Sequence, residues 1–189
     1  MVISRILKPY GLPSHIEKEI LVNWKKIKKE YLSLTDDEKI EYPEKGRDFW
    51  DKGKWKVFPL RDYPFGNKMN KERCPYTHSI LDKIPRVRTA GFSILKPNMK
   101  IHPHQGLKDN TLRYHLGLIV PTHVHIRIEG VTHFWKEGKL LKFDDSKIHE
   151  VHNPTDKERV VLLFDVEEKF SLSLFIYTLI EKIKIFWNK

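Results

Sequence analysis

From Arg86 to Val166 the chain breaks into short β-forming runs separated by turns, and two of its ten histidines sit in that stretch 45 residues apart. The first is His104, in Pro103-His104-Gln105-Gly106; the second is His149, in His149-Glu150-Val151. Arg159 follows ten positions later, at the head of Arg159-Val160-Val161-Leu162-Leu163-Phe164-Asp165, a run suited to a buried strand. Short strands at regular spacing close most readily into a jelly roll or small barrel. A loop near one strand then supplies the first imidazole, and a later strand returns the second. Neutral imidazole favours iron, zinc, copper or nickel over magnesium or calcium.

The arginine restricts the pocket further. A guanidinium at the edge of a buried strand needs a carboxylate, because an unpaired buried charge is costly. Two partners are open: an internal ion pair with Asp144, Asp145 or Glu129, or a bidentate clamp on a dicarboxylic ligand.

The segments around these residues resemble a known family. Cys74-Pro75-Tyr76-Thr77, Ser93-Ile94-Leu95-Lys96-Pro97, Pro103-His104-Gln105-Gly106 and Leu112-Arg113-Tyr114-His115-Leu116-Gly117-Leu118 occur in order. Trp135-Lys136-Glu137-Gly138-Lys139, Phe143-Asp144-Asp145-Ser146, His149-Glu150-Val151 and Arg159 follow them. Together they resemble the aspartyl/asparaginyl β-hydroxylase family of Fe(II)- and 2-oxoglutarate-dependent oxygenases, and the lipid A 2-hydroxylases related to it. The resemblance covers roughly Cys74 to Glu167.

It implies a mainly β fold with flanking helices, a double-stranded β-helix of the jelly-roll, cupin-like kind. It also implies Fe(II), 2-oxoglutarate and O2, with hydroxylation of an unactivated C–H bond and release of succinate and CO2. Iron would be held by His104 and His149, and the distal carboxylate of 2-oxoglutarate by Ser93 and Arg159. Arg113 and His115 match the residues near its metal-chelating end.

Two departures matter. Most such oxygenases carry a carboxylate ligand two residues after the first histidine, and here that position is Gly106. The hydroxylases of peptidyl aspartate resemble this chain in that glycine; the lipid A enzymes place an aspartate there. Enzymes acting on peptidyl aspartate also carry an arginine two residues before the position of Arg113, where this chain has Thr111, a small residue as in the lipid A enzymes. Trp55, Arg61, Thr111 and Arg127 are the substrate-side candidates. The expected partner is a protein or small acidic substrate, with a lipid as the alternative.

A second pattern competes. His102-Pro103-His104 is an H-x-H pair, and Gly138 to Asn153 reads G-x5-D-x-S-x2-H-x3-N, a spacing that resembles cupins. Cupins need a glutamate soon after the pair, and residues 105–111 offer only Asp109. A cupin-like metal protein that does not use 2-oxoglutarate, or a jelly roll serving only as a binding module, remain the other readings. His102, His123, His125, His133 and His152 lack a matching context and read as structural or surface residues. Asp144 and Asp145 read as braces for the loop before His149.

Composition sets the remaining bounds. At 189 residues the chain suits one domain. It divides into N-terminal helices with an irregular segment at 1–73, a jelly-roll core at 74–167 and an amphipathic helix at 168–189. Ser14-His15-Ile16-Glu17 reads as a capping box opening a helix to about Leu34, and Thr35-Asp36-Asp37-Glu38 as a second box. Residues 43–73, rich in Pro, Gly and charge, are expected to lie irregularly over the barrel mouth. In the tail, Leu172, Phe175, Ile176, Leu179, Ile183 and Phe186 share one helical face. That helix packs on the domain, pairs two copies or meets a membrane surface through 170–187. The net charge of +10 comes from scattered lysines interleaved with glutamate, so nucleic acid is not the expected partner. A single cysteine, with no export signal in Met1 to Pro13, leads to the expectation of a cytoplasmic, reducing setting.

Overall fold

A computed structural model describes residues 12–42, 50, 54–61, 68–106 and 110–167. The expected C-terminal helix, and Tyr63 in the segment after the second strand, lie outside the described residues.

Helix α1 (Ser14–Leu32) opens the described chain. Its apolar residues recur at three- and four-residue spacing, so Ile16, Ile20, Ile27 and Tyr31 fall on one buried face, with Leu21 and Trp24 partly buried beside them. The capping box at Ser14 does not form. Pro13 is the N-cap, and its carbonyl accepts from the amides of Ile16 and Glu17, at 3.0 and 2.9 Å. The second box forms its bond without a helix: the Glu38 carboxylate takes the Thr35 amide at 2.8 Å, but residues 35–38 make a turn leading into strand β1 (Ile40–Glu41).

The described part of the 43–73 segment carries regular structure. Strand β2 (Trp55–Arg61) joins the main sheet, and helix α2 (Lys68–Arg73) follows. Pro59 is tolerated in β2 because it sits at a register shift between Pro59 and Arg61, where a missing amide leaves no ladder bond unmade. Helix α3 (Pro75–Leu81) has proline in its first turn. Its free amides at Tyr76 and Thr77 are taken by the Glu30 carboxylate of α1 at 2.7 and 2.8 Å, which locks the two helices together.

Eight further strands build the body: β3 (Val87–Leu95), β4 (Met99–His104), β5 (Thr111–Ile119), β6 (His125–Ile128), β7 (Val131–Phe134), β8 (Leu140–Phe143), β9 (His149–Asn153) and β10 (Arg159–Glu167). Two antiparallel sheets result, in the orders β1-β2-β3-β10-β5-β8 and β4-β9-β6-β7. From β3 to β10 the chain crosses between the sheets at every step except the β6–β7 hairpin, which is the winding of a double-stranded β-helix, and the expected fold class holds.

Alternation of side chains sorts the strands into two cores. Phe92, Ile94, Leu116, Leu162 and Phe164 face α1 and α3. Leu95, Met99, Ile101, Ile126, Trp135, Phe143, Val151, Val161 and Leu163 fill the space between the sheets. The polar residues that share this second face of β3, β5 and β10 form the site.

Candidate functional site

A bulge in β4 creates the histidine pair. Ile101 pairs with Val151 in β9, but the register then shifts, so His104 rather than Pro103 stands opposite His149. Pro103 has no amide to give the ladder, and one extra residue turns His104 onto the barrel-facing side. The two rings lie 4.1 Å apart, centre to centre.

Both rings are held in one tautomer. His104 Nδ1–H donates to the His102 carbonyl at 2.8 Å, and His149 Nδ1–H donates to that of Lys147 at 2.8 Å. Each Nε2 therefore keeps its lone pair, the form that binds a metal. Burial holds the His149 pKa below its ordinary value, which favours the neutral ring. These donors suit Fe(II). Among the described residues no three His, Cys, Asp or Glu side chains converge as a ready ligand cage. A metal held here would have these two imidazoles as its described protein ligands.

Asp145 occupies the place left by the missing carboxylate ligand. A Cβ on Gly106 would land on the Asp145 carboxylate, well inside contact distance, and the Gly106 amide donates to the Asp145 carbonyl at 2.8 Å. One Asp145 oxygen is 3.4 Å from His149 Nε2. The same oxygen accepts from Arg113 Nη1 at 2.6 Å, while Arg113 Nε and Nη2 fork onto Asp165 at 2.8 and 2.9 Å. Burial opposes the charge on Arg113, but Asp165 and Asp145 outweigh it and hold its pKa well above the ordinary value. Asp144 caps the turn by accepting from the Ser146 amide at 2.9 Å. Arg113 thus positions the loop that carries His149.

A second group of polar atoms is buried without partners among the described residues. Arg159 is 1% exposed, and there its Nε and Nη1 meet no acceptor. The carboxylates open to it are used elsewhere: Asp144 on the turn, Asp145 on Arg113 and Glu129 on Lys147 at 3.4 Å. Its guanidinium lies 4.9 Å over the Trp135 ring, and burial pulls its pKa down to about 9, still cationic at neutral pH. His115 is buried beside it. Trp135 Nε1–H donates to His115 Nδ1 at 3.3 Å, so the proton of the neutral ring is on Nε2, and that donor is unmet. Burial, then Arg159 and Arg113, push its pKa well down. Ser93, at 2% exposure, accepts from Trp55 Nε1 at 3.1 Å on the same barrel face.

Ring contacts connect the two groups. Trp135 stacks near His115, His115 meets Phe143 at 5.3 Å, and Phe143 meets His149 at 5.3 Å. The barrel interior therefore holds an imidazole pair with both Nε2 lone pairs kept, joined by ring contacts to buried donors that have no acceptor among the described residues.

Of the residues singled out from sequence, His104, His149, Ser93, Arg113, His115, Arg159 and Trp55 share this interior. Thr111 is buried at the head of β5, opposite Glu167. Arg61 is directed elsewhere, onto the Leu81 carbonyl and Asp82 at 3.2 and 3.4 Å. Arg127 alternates onto the outer face of the smaller sheet and pairs with Glu150 at 3.1 Å. Sequence reasoning gave no role to Trp135 or Asp165. Trp135 lies in a loop with no periodicity, and Asp165 is hidden in an apolar run.

The sequence profile for aspartyl/asparaginyl beta-hydroxylase matches residues 22–169. The chain belongs to that family. It is similar to an ornithine lipid ester-linked acyl 2-hydroxylase of Rhizobium tropici, 43% identical over 115 residues, covering 59% of this chain and 41% of the relative. It is also similar to the human aspartyl/asparaginyl beta-hydroxylase, 33% identical over 161 residues, covering 81% of this chain and 21% of the relative. The chain thus spans less than half the length of either. A cupin domain of a transcriptional regulator from Enterobacter cloacae is similar in structure, with 11% identity and a TM-score of 0.42 over 61% of this chain and 99% of that one. Membership makes this chain a hydroxylase-family protein. Among the described residues no helix is long and apolar enough to cross a membrane.

Proposed function

We propose that the protein is an Fe(II)- and 2-oxoglutarate-dependent hydroxylase. One observation carries this reading: among the described residues the buried donors Arg159 Nε, Arg159 Nη1 and His115 Nε2 have no acceptor, and the rings of Trp135, His115 and Phe143 join them to His149 of the imidazole pair. Buried donors demand a partner. A dicarboxylate that meets the metal at one end and the guanidinium at the other would supply it.

In this reading His104 and His149 hold Fe(II) through Nε2, and Arg159, with the Ser93 hydroxyl, holds the distal carboxylate. Trp135 fixes the His115 tautomer and covers the guanidinium. Iron, 2-oxoglutarate and O2 supply the oxidation of an unactivated C–H bond, with succinate and CO2 as coproducts. Asp145, anchored by Arg113, keeps the loop before His149 in place. Leu163, Val161 and Phe143 exclude bulk water from the interior.

The substrate is proposed to be a protein side chain or a related acidic molecule. A specific observation favours a second reading, hydroxylation of a lipid acyl chain. Thr111 stands where an arginine would grip a substrate carboxylate, and the Rhizobium relative is named for an acyl chain.

Anaerobic Fe(II) loading followed by 2-oxoglutarate titration tests the proposal. A weak visible charge-transfer band should appear in the native chain and be lost in both Arg159→Ala and His149→Ala. Metal binding with no band would refute 2-oxoglutarate dependence and favour a cupin-like metal protein.

A further inference from the structure

The outer face of the smaller sheet carries a second pair of imidazoles. His125 on β6 stands directly opposite His152 on β9, with ring centres 5.5 Å apart and planes at 80°. In β9, residues 149, 151 and 153 are buried while 150 and 152 are half exposed, so His149 and His152 lie on opposite faces of one strand. Around the pair, Lys100, His102, Arg127 and Glu150 line a groove of about 180 Å³.

His125 is presented as the barrel pair is presented. Its Nδ1–H donates to the carbonyl two residues back, His123, at 2.9 Å, so Nε2 keeps its lone pair. Arg127 is neutralised by Glu150 at 3.1 Å. Burial, then the charge of Lys100, lowers the His152 pKa, which leaves that ring neutral near pH 7. The His125 Nδ1–H is already taken by the His123 carbonyl, so its Nε2 offers a lone pair to a Lewis acid rather than a proton to an anion. Two imidazoles sharing one metal at about 2.0–2.1 Å keep their ring centres roughly 4.5–5.5 Å apart. The observed 5.5 Å falls at the tetrahedral end of that span.

We propose that His125 and His152 form an accessory two-imidazole site for a borderline divalent transition ion of the zinc, nickel or copper type. Three-ligand clustering is absent among the described residues, so water completes the coordination. Such an ion ties β6 to β9, the strand that begins at His149, and thereby couples divalent metal in solution to the rigidity of the barrel mouth.

The test uses the full chain, metal-stripped, with His104→Ala and His149→Ala together so that the barrel pair is silent. Equilibrium dialysis should still find one bound zinc per chain. Adding His152→Gln should remove it. Copper(II) loaded into the double variant should give an electron paramagnetic resonance spectrum with coupling to two nitrogens. No zinc in the double variant, zinc retained after His152→Gln, or coupling to a single nitrogen would each overturn the proposal. The outcome does not depend on iron or 2-oxoglutarate.

Discussion

The carboxylate of Asp145 stands where any side chain on Gly106 would have to go, and Arg113 holds it there. The glycine is therefore required by its neighbour, quite apart from what it withholds from a metal. Restoring an aspartate two residues after His104 should damage the site. Gly106→Asp would push Asp145 off Arg113 and place two carboxylates in one space. A loss of about 1–3 kcal/mol is expected from such overpacking, with weaker Fe(II) binding. Thermal unfolding and metal titration would measure both. Gly106→Asp combined with Asp145→Gly should recover most of the stability, because the clash is then gone and the new carboxylate takes the Asp145 place beside Arg113.

Arg159 makes a prediction with opposite signs in two measurements. Its guanidinium is buried, and among the described residues its Nε and Nη1 have no acceptor. Replacing it with leucine removes an uncompensated charge, so the ligand-free protein should be as stable as the native one or more so. Binding of 2-oxoglutarate should fall at least about 30-fold, in keeping with about 2–5 kcal/mol for losing one partner of a buried charge pair. Thermal scans with and without 2-oxoglutarate separate the two. A variant destabilised in the absence of ligand would mean that Arg159 has a structural role.

How much of this was legible in sequence follows from the range of each interaction. Helix α1 announced itself because Ile16, Ile20 and Ile27 repeat within one element, and the jelly-roll pattern because each strand is short and bounded by turns. His104, His149 and Arg159 stood out as polar residues in extended or apolar surroundings. Trp135 did not, since its meaning comes from Arg159 and His115 on two other strands. Strand β2 was masked by Pro59, whose place at a register shift depends on β3. The capping box at Ser14 failed because Pro13 takes the N-cap place and its carbonyl accepts the first helical amides. Arg127 was misjudged for want of register: only pairing with Glu150 shows which face it occupies.

Cys74 should report on unfolding rather than on chemistry. It is fully buried, and burial, with Glu30 close by, pushes its pKa up to about 12. The thiolate fraction at pH 8 is then about a thousandfold below that of an exposed cysteine. A thiol reagent should label the native chain only through opening of the α1–α3 contact. The labelling rate should rise with denaturant in step with loss of helical circular dichroism. Rapid labelling under native conditions would show that α3 opens independently of the barrel.

Asp165 predicts how the protein meets acid. Burial alone would raise its pKa, but the fork from Arg113 and the Thr89 hydroxyl at 2.8 Å together lower it below the ordinary carboxylate value. A carboxylate with a depressed folded-state pKa contributes stability that is fully present above its unfolded value, about 3.9. That contribution is lost as pH falls through the folded-state value. Asp165→Asn should therefore cost about 3–5 kcal/mol at pH 7, because it leaves the buried Arg113 short of one partner. The gap between native and variant should narrow below about pH 4 as the native carboxylate takes up its proton. Urea midpoints at pH 7, 5 and 3 would show the convergence, and a gap independent of pH would mean that the Arg113–Asp165 fork acts by shape rather than by charge.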